Sequence, residues 1–461
     1  MALALDGGND ITGRLAFAFG RAKTRFMTRH IKAPASHRGP HPLGQHLMGI
    51  GQMWQSGLNA AAAARVGMFP WHPGFKDEGD ALASLLARFP ADQMAKALVS
   101  EVEARIAGFQ AGVDAYRRSG HFRPKDQRPV VWRKGRAKLL GPMAAKKDAR
   151  VILVVPSLIN QWHVLDLDPG NGLISRLESQ GHAPYVLDWG LPGTQEAKWD
   201  CGDYVTHVLE PALDWLTQHS GAQVGVMGQC LGGVLALGLG QIARPKITGI
   251  ALLATPWDFS LMRPTMVTTS LMAQGAGLHR AIFDGDGLLP ADLVATLLAV
   301  ADGGLIEAKY RRFTDLDPEG DAARAFVLIE DWAQTAIPLA RRVGAQVFRD
   351  WPGGAGPAQN CFQVRGEVIK PQSIELPVIM VQSERDRLTP PAGARLLAEQ
   401  LPNVSILAPD GGHLGMAIGR EAGEIAEALG HFFLDHAPVS PYRGLQKRPE
   451  RAVKKKGAGR V

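Results

Sequence analysis

Six short runs of nearly unbroken apolar residues mark the chain from residue 151 onward, at 151–159, 183–189, 223–227, 247–255, 377–383 and 404–410. Continuous rather than alternating apolarity means burial on both faces, so these runs predict strands of a parallel sheet covered by helices. Helical stretches separate most of them. A last helix is expected over 422–436, with Ile425, Leu429, Phe432 and Phe433 inward. Residues 1–147 read differently. Leu82, Leu85, Leu86, Met94, Leu98, Val102, Ile106 and Phe109 recur at helical spacing, and Pro90 divides that pattern into two helices. The Pro-, Gly- and His-rich stretch 33–42 predicts a loop. The gap from 258 to 375 is too long for one crossover helix and predicts a cap inserted over the carboxyl edge of the sheet. The chain thus divides into a helical region (1–147), a catalytic domain (148–438) interrupted by the cap, and a tail (439–461) expected to be disordered.

Between strand 223–227 and a helix-compatible run starting at Val234 lies Gly228-Gln229-Cys230-Leu231-Gly232-Gly233. Strand, tight glycine-flanked turn and helix form the layout of a nucleophile elbow, here with cysteine where serine is usual. Such a turn lifts its central side chain above the sheet edge and aims the N–H of Leu231 at a developing oxyanion. The same spacing also occurs around ordinary buried cysteines. The remaining runs decide between these readings. In the α/β-hydrolase fold the order is nucleophile, acid, histidine. Asp386 follows the fifth run and His413 the sixth, both at carboxyl ends of strands. Taken singly, Asp386 fits a helix cap or an ion pair with Arg385 or Arg387, and His413 a turn residue. Glu384 is the reserve acid, and Asp410 a weaker one, only three residues before the histidine. The three in order predict a Cys230–His413–Asp386 triad on an α/β-hydrolase fold with a mostly parallel sheet. In it the imidazole takes the thiol proton and the carboxylate fixes the imidazole tautomer. Thiolate attack on a thioester exchanges one thioester for another, which favours acyl transfer over cleavage of amides.

Composition narrows the setting. At 461 residues and 46% hydrophobic, the chain is long enough for a large domain with additions. No apolar run is long enough to span a bilayer, and the start has no secretory core. The three cysteines, Cys201, Cys230 and Cys361, have no metal-like spacing, and an unpaired thiol suits a reducing, cytoplasmic compartment. The net charge is +7, all of it carried by residues 441–461 with eight basic side chains and one acidic. A second zone, 11–76, has nine Lys or Arg and no acid. Two basic ends suit an anionic surface as partner; a solubilising tail and a solvated helix face are the commoner cause of such charge.

The motifs together resemble those of the polyhydroxyalkanoate synthases, cysteine-dependent relatives of lipases that polymerise 3-hydroxyacyl-CoA. The box Gly228–Gly233 matches their Gly-x-Cys-x-Gly-Gly. Ile159-Asn160-Gln161-Trp162-His163-Val164-Leu165-Asp166-Leu167 is similar to their Ile-Asn-Lys-aromatic-x-Ile-Leu-Asp-Leu. Gln180-Gly181-His182 with Asp188-Trp189, the segment Leu253 to Phe259, and Gly412-His413-Leu414-Gly415 also have counterparts. The chain departs from the pattern at Val155-Pro156-Ser157-Leu158, where the family has Pro-Pro-Trp, at Arg387, where it has His, and through the cap. The resemblance implies Cys230 as the acylated nucleophile, His413 as general base and Asp386 as third member. It implies the backbone of Leu231 and Ser157 at the oxyanion. It implies a coenzyme A thioester as substrate, with no metal or redox cofactor. Implied partners are a polyester granule surface and a second subunit, as a homodimer or a distinct synthase chain. A cysteine hydrolase acting on polyester or lactone, and a granule-surface binder with a relic site, are the alternative functions.

Overall fold

The computed structural model describes residues 37–41, 43–71, 73–143, 149–262, 276–299, 303–418 and 421–435. The tail, the start of the basic zone 11–76 and half of the 33–42 loop lie outside them. Each of the six apolar runs forms a strand: β3 (Val151–Val155), β4 (Ala183–Asp188), β5 (Val224–Gln229), β6 (Ile247–Leu253), β7 (Val378–Val381) and β8 (Val404–Leu407). Two further strands, β1 (Val130–Lys134) and β2 (Ala137–Leu140), precede them, giving the order β1-β2-β4-β3-β5-β6-β7-β8. All pairings from β4 to β8 are parallel, and the β1–β2 hairpin joins β4 antiparallel.

The continuous apolarity of the runs has its cause in two cores. Leu153 and Val155 of β3 face a layer that includes helices α5 (Glu210–Ser220) and α6 (Leu231–Ile242). Ile152 and Val154 face the opposite layer, with α4 (Leu173–Ser179) and α9 (Ala422–Asp435). Leu429, Phe432 and Phe433 of α9 are buried there, as their spacing predicts. Successive residues of every central strand therefore enter different cores, and both must be apolar.

The expectation of helix throughout 1–147 needs correcting at 130–140, which forms the β1–β2 hairpin, turning at Gly135 with φ 58°. The rest of the described part is helical: α1 (Leu43–Arg65), α2 (Lys76–Leu86) and α3 (Ala91–Arg118), with Pro90 at the start of α3. Of these, α1 and α3 pack on helices of the segment inserted between β6 and β7. Ile50, Phe109, Val113 and Tyr116 form a third core with Tyr310 and Phe313 of α7 (Gly303–Phe313) and Ala323 and Val327 of α8 (Asp321–Ala333). Contact between α3 and α7 is close enough that a Cβ on Gly112 would lie 1.9 Å from the Tyr310 carbonyl oxygen. Among the described residues, no helix is long and apolar enough to cross a membrane.

Candidate active site

Cys230 joins β5 to α6 at φ 52° and ψ −126°, a conformation that costs a side-chain-bearing residue free energy and that surrounding structure must enforce. The enforcement is visible. The Cys230 N–H donates to the Leu253 carbonyl of β6 at 2.8 Å. A Cβ on Gly228 would lie 2.5 Å from the Gly233 Cα, and one on Gly232 would lie 2.2 Å from the Val155 oxygen and 2.5 Å from that of Pro156. The turn closes only because these positions lack side chains, and the half-buried thiol is left at the carboxyl edge of the sheet. Gly232→Ala is expected to push the 155–157 backbone off the start of α6. The overpacking costs about 3 kcal/mol, readable as a lower urea midpoint with loss of activity; an unchanged midpoint would contradict this packing.

His413 and Asp386 arrive from the loops after β8 and β7. The His413 Nδ1–H donates to Asp386 Oδ2 at 2.8 Å, which leaves Nε2 to face outward, and Cys230 is near enough to help raise the His413 pKa. Both side chains are sheltered, His413 10% and Asp386 0% exposed. Asp386 Oδ1 accepts the N–H groups of Leu388 and Thr389, each at 2.9 Å, and Oδ2 accepts the Thr389 hydroxyl at 2.5 Å. Burial by itself would lower the His413 pKa; the hydrogen bonds with Asp386 and Cys230, and their charges, carry it up to about 10. Burial would likewise raise the Asp386 pKa, but the hydrogen bonds and charge of His413 and the donors of Thr389 hold it below the usual carboxylate value. At neutral pH the imidazole is therefore a cation between a carboxylate and a sulfur. The reserve acids stand apart: Glu384 is paired with Arg395 at 2.9 Å, and Asp410 is exposed.

The two backbone donors flank the elbow. Leu231 opens α6, whose first N–H groups have no acceptors within the helix and lie at its positive end. The loop carrying Ser157 crosses directly above Gly232, and the Ser157 N–H donates to Gln229 Oε1 at a long 3.3 Å. Neither Gln229 nor Thr389 was predicted. Thr389 had a local signal, a hydroxyl three residues after the acid, where it returns to the carboxylate in an Asx-type turn. Beside this loop a cavity of about 220 Å³ is lined by Asn160, His163, Asp188, Trp189, Leu191 and Ile337, among others. Burial first, and then the charge of Arg123, lowers the His163 pKa to about 4, so that its ring is neutral there.

The Poly(3-hydroxyalkanoate) polymerase subunit PhaC of Thiocystis violacea is 25% identical over 63% of this chain and 82% of its own. That of Allochromatium vinosum is 25% identical over 60% of this chain and 79% of its own. That of Haloferax mediterranei is 23% identical over 68% of this chain and 65% of its own. The resemblance to the polyhydroxyalkanoate synthases is thus borne out. The alpha/beta hydrolase fold matches residues 150–419, which contain the elbow, the acid and the histidine, and the chain belongs to that family.

Proposed function

We propose that the chain is an acyltransferase that polymerises 3-hydroxyacyl-CoA through an acyl group carried on Cys230. The observation that carries this reading is the His413–Asp386 hydrogen bond at 2.8 Å, set beside Cys230 on its strained elbow. In the first step the Cys230 sulfur attacks the thioester carbonyl. The new C–S bond forms as the bond to coenzyme A breaks, and the His413 proton leaves with the departing thiol. His413 is then neutral and takes the proton from the 3-hydroxyl of a second acyl unit. That oxygen attacks the Cys230 thioester, forming an ester and freeing the sulfur. Leu231 and Ser157 N–H groups stabilise both tetrahedral oxyanions once Ser157 is released from Gln229. Thiol, imidazole and carboxylate supply the whole chemistry, so the reaction calls for no metal or redox group. The likeness to polymerase subunits over most of their length supports polymer as product.

Purified protein given 3-hydroxybutyryl-CoA is expected to release free thiol and form product of high mass. Free 3-hydroxy acid without polymer would replace this reading with a hydrolase. No thiol release with any acyl length would end it.

A further inference from the structure

The loop that carries the Ser157 donor is gripped at both ends by indole N–H groups. At its start, Trp189 Nε1–H donates to the Pro156 oxygen at 3.1 Å, from the end of β4. At its far end, Trp332 Nε1–H donates to the Gln161 oxygen at 2.7 Å. Trp332 does not belong to the sheet domain's own strands or crossovers. It lies at the end of α8 in the cap, 171 positions away from its acceptor. The same helix reaches the segment a second time, two turns earlier, where Arg324 pairs with Asp168 at 2.8 Å. The short turn Trp162–Asp166 between these grips packs against both α8 and the turn Gly415–Ile418 that follows His413. On its other side α8 is held rigidly: Asp331 accepts the Tyr116 hydroxyl at 2.6 Å and His37 Nδ1–H at 3.0 Å, and Glu330 accepts the Tyr310 hydroxyl at 2.9 Å.

We propose that Trp332 is a positioning residue for the oxyanion: from the cap it fixes the far end of the 156–161 loop, and so the aim of the Ser157 N–H. The inference rests on the acyl-transfer reading above. Its physical basis is the weakness of the local alternative. The Ser157 N–H holds only a long bond to Gln229, so the loop's register is set by its two ends. A misplacement of a donor by a fraction of an ångström weakens its bond to a developing oxyanion far more than it weakens substrate binding.

Two reactions at the same sulfur separate this role from a merely structural one. Alkylation of Cys230 by iodoacetamide passes through no oxyanion, whereas acylation by 3-hydroxybutyryl-CoA does. Trp332→Phe keeps the ring and removes the donor. It is expected to leave alkylation within about twofold of the parent, lower single-turnover acylation about tenfold, and reduce kcat with KM unchanged. Equal falls in alkylation and acylation, or no fall in acylation, would overturn the proposal, as would a rise in KM alone. Should the phenylalanine variant fail to fold, Arg324→Gln breaks the other grip at a side chain about a third exposed. Unchanged acylation in that variant would then overturn it. Absence of acylation in the parent protein would instead refute the acyl-transfer reading itself, so the two failures are distinguishable.

Discussion

Cys230→Ala protein is expected to fold normally and to release coenzyme A at least about 10⁴-fold more slowly than the parent, since removal of a nucleophile leaves only binding and oxyanion donors. Alanine keeps the Cβ, so the strained φ of 52° and the Leu253 hydrogen bond persist, and only the half-buried sulfur is lost. Neither remaining thiol can substitute. Cys201 is fully buried, and that burial, followed by the charges of Asp200 and Asp203, pushes its pKa well above the ordinary value. Cys361 is exposed and turns its Sγ to the Gln359 oxygen. Thiol release from 3-hydroxybutyryl-CoA measures the effect, with circular dichroism to establish the fold. A residual rate above about one part in a hundred would take the nucleophile's role from Cys230.

The candidate row Cys230, His413 and Asp386 was legible because each member is announced locally. Glycines must flank the elbow when the neighbouring backbones stand 2.2–2.5 Å from where a Cβ would lie. Asp386 and His413 each follow an apolar run that enters two cores at once. The β1–β2 hairpin gave no such signal. β1 lies at the sheet edge with Val130, Val131, Arg133 and Lys134 exposed, so no demand for continuous apolarity acts on it. Docking of α1 and α3 on the cap was equally silent. Phe109 and Tyr116 meet Tyr310 across nearly two hundred positions, and helical spacing states which face is buried but not against what. Trp332 is the strongest case. An indole at the end of a cap helix reads as core, and only the folded chain reveals that its N–H ends on the loop beside the thiol.

Asp386→Asn is expected to lower acylation about 10³- to 10⁴-fold and to cost about 3–5 kcal/mol of stability, the former by releasing the imidazole tautomer and the latter by leaving a buried partner uncompensated. Little of that cost is screened by solvent, since the carboxylate is fully buried and the imidazole nearly so. The two pKa shifts fix how the cost varies with pH. His413 is raised from 6.5 to about 10. Its contribution is complete below pH 6.5 and is lost as pH rises through 10, where the native imidazole also deprotonates. Asp386 is lowered below 3.8. Its contribution is complete above that value and is lost as pH falls through the native pKa. Both contributions are whole only between about pH 4 and 6.5, so the stability gap between parent and Asp386→Asn, measured by urea unfolding, is widest there and narrows toward pH 10. A gap independent of pH would mean that the hydrogen bonds of Leu388 and Thr389, rather than the carboxylate–imidazolium pair, account for the effect. A gap widening above pH 7 would reverse the sign of the His413 shift, and with it the case for a proton resting on the imidazole beside Cys230.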